Sequence, residues 1–289
     1  MSNPVKIGNR LVGEGQPCYL VAEIGINHNG NIDEAKKLID EAHRAGFDAV
    51  KFQKRTISVV YTPEELAQPR PNHFGDTNSD LKHGLEFGLA EYTEIDLYCK
   101  GLGITWFSSC WDEASVDFME QFDPPCYKIA SASITDDNLL KHHRKYGRPI
   151  IMSTGMSTME QIDHAVDTLG RDNLVILHCT STYPSKPEEL NLLTIKTLLD
   201  RYGLPTGYSG HEVGLATSVA AVAIGAQVVE RHITLDRAMW GSDQAASVEP
   251  AGMQRLVNYI RATEQSLGDG QKRVYESELP ILQKLRRVG

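Results

Sequence analysis

Ala22-Glu23-Ile24-Gly25-Ile26-Asn27-His28-Asn29-Gly30 is the stretch that decides the fold. The apolar run at residues 19–22 reads as a buried strand, and it ends abruptly in a carboxylate, an amide, an imidazole and two glycines. Helical periodicity follows at residues 33–45, so the polar residues occupy the loop between a strand and a helix. In parallel α/β proteins, active sites are assembled on that loop.

The same arrangement recurs down the chain. Short β-branched or aromatic runs stop in residues able to do chemistry at Val50-Lys51-Phe52-Gln53, Trp106-Phe107-Ser108-Ser109, Tyr127-Lys128-Ile129-Ala130-Ser131 and Ile151-Met152-Ser153-Thr154-Gly155. Three more are Leu177-His178-Cys179-Thr180-Ser181, Gly207-Tyr208-Ser209-Gly210-His211 and Val229-Glu230-Arg231-His232. Amphipathic segments such as residues 158–169 and 215–224 lie between them. Eight strand candidates separated by helices or longer insertions predict an α/β fold, a single (β/α)8 TIM barrel. A length of 289 residues fits one such barrel, typically of about 250.

Residues 6–17 predict a short N-terminal hairpin that plugs the barrel bottom, turning near Gly8-Asn9. The expected organisation is hairpin 1–18, catalytic barrel 19–267 and a charged tail 268–289. Between Gln53 and the helix expected at 91–101 the chain runs through several prolines, and so long a connection is expected to be functional or mobile.

Composition limits the function classes. A formal charge of −9 argues against a nucleic-acid surface, and no apolar span approaches the roughly 20 residues of a membrane helix. The N-terminus lacks the apolar core of a secretory signal, and the five cysteines form no C-x-x-C pair. A cytoplasmic protein with reduced thiols is expected.

Ala22-Glu23-Ile24-Gly25-x-Asn27-His28-x-Gly30, Val50-Lys51-Phe52-Gln53, Lys128-Ile129-Ala130-Ser131, Ser153-Thr154-Gly155-Met156, His178-Cys179-Thr180-Ser181-x-Tyr183-Pro184, Gly207-x-Ser209-x-His211, Glu230-x-His232 and residues 243–250 follow in the order found in the N-acetylneuraminate (sialic acid) synthase family. The chain resembles that family over the whole catalytic barrel. The resemblance implies condensation of phosphoenolpyruvate with an aminosugar aldehyde such as N-acetylmannosamine, giving a nonulosonic acid and phosphate with the help of a divalent metal. The metal is expected to be Mn²⁺, with Mg²⁺ or Co²⁺ as alternatives. It also implies a homodimer.

That chemistry needs groups the sequence can be searched for. His211 and His232 stand just past late strands, where imidazoles converge on the mouth; two neutral imidazoles with open positions suit a catalytic divalent ion, and the family puts its metal on the matching pair. Lys51 and Lys128, with the hydroxyls of Ser109, Ser131, Ser153 and Ser209, form an expected anion cradle, and Gly155 lets backbone amides approach. A bound dianion explains two lysines inside one barrel better than two side chains snorkelling to the rim. The resemblance makes Glu23 the acid-base residue beside the attacking water, and puts Gln53, Asn72, Tyr183 and Asp243 in the sugar pocket. His28 and His178 are expected to be structural.

Departures from the family pattern bear on the acceptor. Ser133 stands where an acidic sugar contact is usual, Gln244 where a histidine often follows the aspartate, and the sequence stops at Gly289 where the family continues into an antifreeze-like domain. A separate antifreeze-like domain protein is therefore an expected possible partner. Two other functions are weighed: a related 3-deoxy-sugar-acid synthase with a different aldehyde acceptor, and a catalytically silent barrel. A phosphorylated acceptor calls for further basic residues at the mouth, for which Arg55 and Arg231 are the sequence candidates.

Overall fold

The computed structural model describes residues 3–288, so Met1, Ser2 and Gly289, at the ends of the predicted terminal segments, lie outside the described residues. Eight parallel strands close into a barrel: β1 (Tyr19–Gly25), β2 (Ala49–Lys54), β3 (Thr105–Cys110), β4 (Tyr127–Ile129), β5 (Ile150–Ser153), β6 (Leu174–Cys179), β7 (Thr206–Gly210) and β8 (Val228–His232). They follow one another around the barrel in chain order. Closure is made by β8 on β1, with Val228 beside Tyr19 and His232 beside Glu23.

Alternation along each strand divides the barrel into an outside and an inside. Outward residues such as Leu20, Ala22, Val50, Phe52, Ile150 and Ile176 form the large core against the helices. Inward residues Tyr19, Val21, Ala49, Phe107, Cys126, Ile151, Val175, Leu177 and Val228 form a second, separate apolar cluster. That inner cluster also takes in Val5, Ile7 and Val12 from the N-terminal hairpin Val5–Ile7/Arg10–Val12. The hairpin therefore plugs the bottom as expected, and it turns at Gly8-Asn9 with Gly8 at φ 58°.

Local signals set the helices. The helix Ile32–Ala45 starts at Asn31, whose Oδ1 accepts from the Asp33 and Glu34 amides, and ends at Gly46 in the left-handed region. Its buried residues Ala35, Leu38, Ile39, Ala42 and Ala45 repeat at helical spacing. The helix Met159–Leu169 starts in a Thr158/Gln161 capping box. Among the described residues, no helix is long and apolar enough to cross a membrane.

The long connection after β2 is more ordered than its prolines predict. It holds single turns at Ile57–Val60 and Pro63–Leu66, a small hairpin Pro69–Asn72/Gly75–Thr77, and a helix Asn78–Leu85 capped by Thr77 and Asp80. Elements this short carry too few residues to express a period. The described part of the tail holds a 3₁₀ turn Glu276–Glu278 and the short helix Leu279–Leu285, neither with a buried residue.

Ile7 is fully buried at the floor of the barrel. Truncation by Ile7→Ala is expected to cost about 2–5 kcal/mol of unfolding free energy, measured by denaturant titration. A loss below about 1 kcal/mol would mean that the hairpin is not an integral floor.

Candidate active site

Above the inner apolar cluster, the next inward residue on each strand is polar or small. Glu23, Lys51, Ser109, Lys128, Ser153, Cys179, Ser209 and Glu230 each follow, two positions later, an inward residue of the layer below, and all line one cavity of about 220 Å³. Strand register brings the key groups together: His232 is beside Glu23, Glu23 beside Lys51, Ser109 beside Lys128 and Ser209 beside Glu230. A bulge between Glu23 and Gly25 breaks the register of β1 against β2. Gly25 has φ 55°, and a Cβ there would stand 3.1 Å from Gln53 Nε2 and 3.2 Å from Glu23 Oε1, so the bulge requires glycine.

At the centre lie four buried charges. Lys51 Nζ is 3.0 Å from Glu23 Oε2 and 3.3 Å from Glu230 Oε1, and donates to Ser109 Oγ at 2.9 Å. Lys128 Nζ donates to Ser153 Oγ at 2.7 Å and to the Ile129 carbonyl at 3.0 Å. Both lysines are buried, so neither snorkels to the rim. Burial alone pushes Glu230 up, but Lys128 and Lys51 together pull it down to about 2. Glu23 goes the other way: its burial outweighs Lys51, and its carboxyl is held above the usual range. The two carboxylates thus take different parts, Glu230 a fixed counter-charge and Glu23 a group that can hold or release a proton.

On the other side of the cavity, the His211 and His232 rings are 5.3 Å apart. His211 Nδ1 donates to the Thr180 carbonyl at 2.8 Å, and against the effect of burial the adjoining Cys179 holds this imidazole above its usual range. Burial pushes His232 down to about 3, so it is neutral, and its buried Nδ1 has no hydrogen-bond partner, with Asp243 Oδ2 3.9 Å away. Two imidazoles, one of them held neutral by burial and with an orphaned nitrogen, can face a divalent cation. Among the described residues no group of three or more His, Cys, Asp or Glu side chains is arranged to hold one, so water or substrate oxygens would complete the shell. Tyr183 packs on His211 at 4.1 Å between ring centres.

Of the remaining residues expected from sequence, Ser131 lines the cavity and accepts from the Gly155 amide at 2.9 Å, an approach that a side chain at 155 would block. Gln53 lines it too and donates to Glu23 Oε1 at 2.7 Å. Asp243 reaches the site only through His232. Asn72 is not brought to this cavity: its amide donates to the Arg70 and Thr77 carbonyls and accepts from the Phe74 amide, holding the small hairpin together. His28 stacks on Phe87 and His178 bonds the Leu190 carbonyl. Ser133 does not line the cavity; Ala132 does. Gln244 is buried and bonded to Thr234, Asn27 and Trp240.

The expectation for Arg231 changes, while Arg55 stays beside the cavity. Arg231 does not stand at the mouth: being the outward neighbour of Glu230 and His232, it is buried behind the strands, 3.0 Å from Glu212 and bonded to Ser218 and the Gly214 carbonyl. Arg55 stacks on Trp111 at 4.3 Å and donates to Gln53. The residue missed as a site group is Glu230, which the alternation Glu230-x-His232 already aims to the same side as His232.

Residues 38–272 match the model of the NeuB family. The chain is 40% identical over 282 residues to N-acetylneuraminate-9-phosphate synthase of Mus musculus, covering 96% of this chain and 78% of that protein. It is 36% identical over 285 residues to N,N'-diacetyllegionaminic acid synthase of Legionella pneumophila, covering 95% and 80%. The crystal structure of an N-acetylneuraminic acid (sialic acid) synthetase from Leptospira borgpetersenii, in complex with citrate, superposes with a TM-score of 0.87 at 29% identity, covering 100% of this chain and 99% of that one.

Glu230 is the shared counter-charge of two buried lysines. Glu230→Gln is expected to destabilise the ligand-free protein by about 3–5 kcal/mol in denaturant titration, because it leaves buried positive charge unbalanced. A change within about 1 kcal/mol would show that the lysines do not depend on it.

Proposed function

This chain belongs to the NeuB family, and on that premise we propose that its barrel joins phosphoenolpyruvate to the aldehyde of an N-acylated aminosugar. It is a phosphoenolpyruvate-dependent transferase of the sialic acid synthase type. The observation that carries the assignment is the pairing, in one cavity, of two buried lysines and a hydroxyl-lined wall with two facing imidazoles.

Lys51 and Lys128 with Ser109, Ser131, Ser153 and Ser209 bind the phosphate and carboxylate of phosphoenolpyruvate. Gln53, Asp243 and Tyr183 orient the acceptor. His211 and His232 would hold a divalent ion, Mn²⁺ in this reading, which when bound supplies Lewis-acid polarisation of the aldehyde oxygen. The C2=C3 π pair of phosphoenolpyruvate forms the bond from C3 to the aldehyde carbon and leaves C2 electron-poor, while the carbonyl π pair moves to the aldehyde oxygen, which takes up a proton from water. Water adds at C2 and gives a proton to Glu23, whose raised proton affinity and 2.7 Å bond from Gln53 suit that task. The C2–O bond to phosphate then breaks, phosphate leaves with the electron pair and takes the proton of the C2 hydroxyl, and C2 becomes the ketone of the nonulosonic acid.

Phosphate release from phosphoenolpyruvate, assayed over a panel of aldehydes with Mn²⁺, Mg²⁺ and Co²⁺, tests the proposal. Turnover with an N-acylated aminosugar supports it; release with none of the aldehydes overturns it. Glu23→Gln is expected to lower kcat by on the order of 10²-fold with phosphoenolpyruvate affinity retained, whereas an effect confined to KM would make Glu23 a binding group. His211→Ala is expected to weaken Mn²⁺ binding at least about 10-fold in calorimetry, and equal affinity would remove it from the metal site.

A further inference from the structure

Arg55 has no task in the proposed reaction, yet it stands just past the end of β2, two residues beyond Gln53, on a backbone that is held at each step. Tyr92 Oη donates to the Gln53 carbonyl at 2.8 Å, and the Trp111 backbone amide to the Lys54 carbonyl at 3.0 Å. The Arg55 amide donates to Glu86 Oε1 at 3.0 Å and the Thr56 amide to Asp112 Oδ2 at 2.7 Å. Glu86 also takes the Lys54 ammonium at 2.8 Å. The guanidinium is then placed from two sides. Its plane lies 4.3 Å from the centre of the Trp111 ring, and Nη2 donates to Gln53 Oε1. Its Nε is buried without a partner, so the bond to Gln53 is the polar contact that orients it.

That bond decides which way the Gln53 amide faces. A carboxamide can be turned end for end with little change in shape, so its neighbours choose the orientation. A guanidinium has donors only, and an ionised carboxylate has acceptors only. Gln53 stands between one of each. Its carbonyl must therefore face Arg55 and its amino group Glu23, where Nε2 donates to Oε1 at 2.7 Å. Turned round, the amide would lose both bonds and set like partial charges against each other at both ends. With Oε1 taken by Gln53 and Oε2 3.0 Å from Lys51, the Glu23 carboxylate is held at both oxygens. Gly25, at the bulge, leaves the room in which Gln53 and Glu23 meet.

We propose that Arg55 is a positioning residue: acting through Gln53, without touching substrate, it locks the amide and thereby holds the Glu23 carboxylate in one orientation. The inference rests on the role given to Glu23 above and deepens it. It also gives Arg55 a use other than the phosphate contact for which the sequence offers it.

Variants of the full chain test this. R55M keeps the length and the packing on Trp111 and removes every donor; R55K keeps one donor; Q53M removes the amide. In steady-state kinetics R55M is expected to lower kcat about 10-fold, with the Kd for phosphoenolpyruvate in calorimetry and the thermal midpoint little changed, and R55K to recover most of the loss. R55M/Q53M is expected to be no slower than Q53M alone, because Arg55 acts only through the amide. Losses that multiply in the double variant, or a loss confined to the acceptor's KM, overturn the proposal. A readout free of turnover is the side-chain amide of Gln53 in ¹⁵N NMR, assigned by its disappearance in Q53M. Its protons are expected to exchange with solvent about 10-fold or more faster in R55M than in the unaltered chain. Equal exchange in the two overturns the lock. Faster exchange in R55M, in a protein that turns over no aldehyde with phosphoenolpyruvate, would sustain the lock while overturning the condensation.

Discussion

Four ionised groups, Glu23, Lys51, Lys128 and Glu230, stand inside the barrel with almost no contact with water, and each is affordable only because of the others. Isolated, any one of them would be driven to its neutral form by desolvation. Their placement therefore fixes much else: the strands that carry them must keep register, and the hydroxyls of Ser109, Ser153 and Ser209 must point inward to take the bonds the charges leave over.

The barrel resolves a conflict between stability and chemistry by stacking them. Below, the inward residues are Tyr, Val, Phe, Ile and Leu in one apolar cluster; one step up each strand they become Glu, Lys, Ser and Cys. Ordered packing beneath holds the polar layer in place, and the β1 bulge at Gly25 turns the chain out of the sheet just where the carboxylate must be presented. Behind the site, Arg231 and Glu212 alternate with Glu230, His232 and His211 along the same segments. Their buried pair fixes the two late strand ends from outside the cavity.

Much of this is written in the sequence because period two is a strong signal in a strand buried on both sides. Lys51 with Gln53, and Glu230 with His232, announce a common face, and the strand-to-loop transitions locate every group around the cavity. The same alternation read one residue further would have excluded Arg231 from the mouth and included Glu230. What the sequence hides is the connection after β2, where elements of three to eight residues show little period and prolines suggest a loop. Asn72, Arg70 and Lys82 lie there, and only the three-dimensional path of the small hairpin reveals that Asn72 serves its own turn while the two cations line a cavity.

The hairpin under the barrel has a further consequence for traffic. With Ile7 and Val12 sealing the bottom, the deep cavity opens at one end only. The anion cradle is set at its floor, directly on the apolar layer, and the imidazoles and Tyr183 stand nearer the rim. In the proposed reaction a ligand at the floor would enter before the one that lies above it, so that a plug of two three-residue strands would set an order of arrival for two substrates.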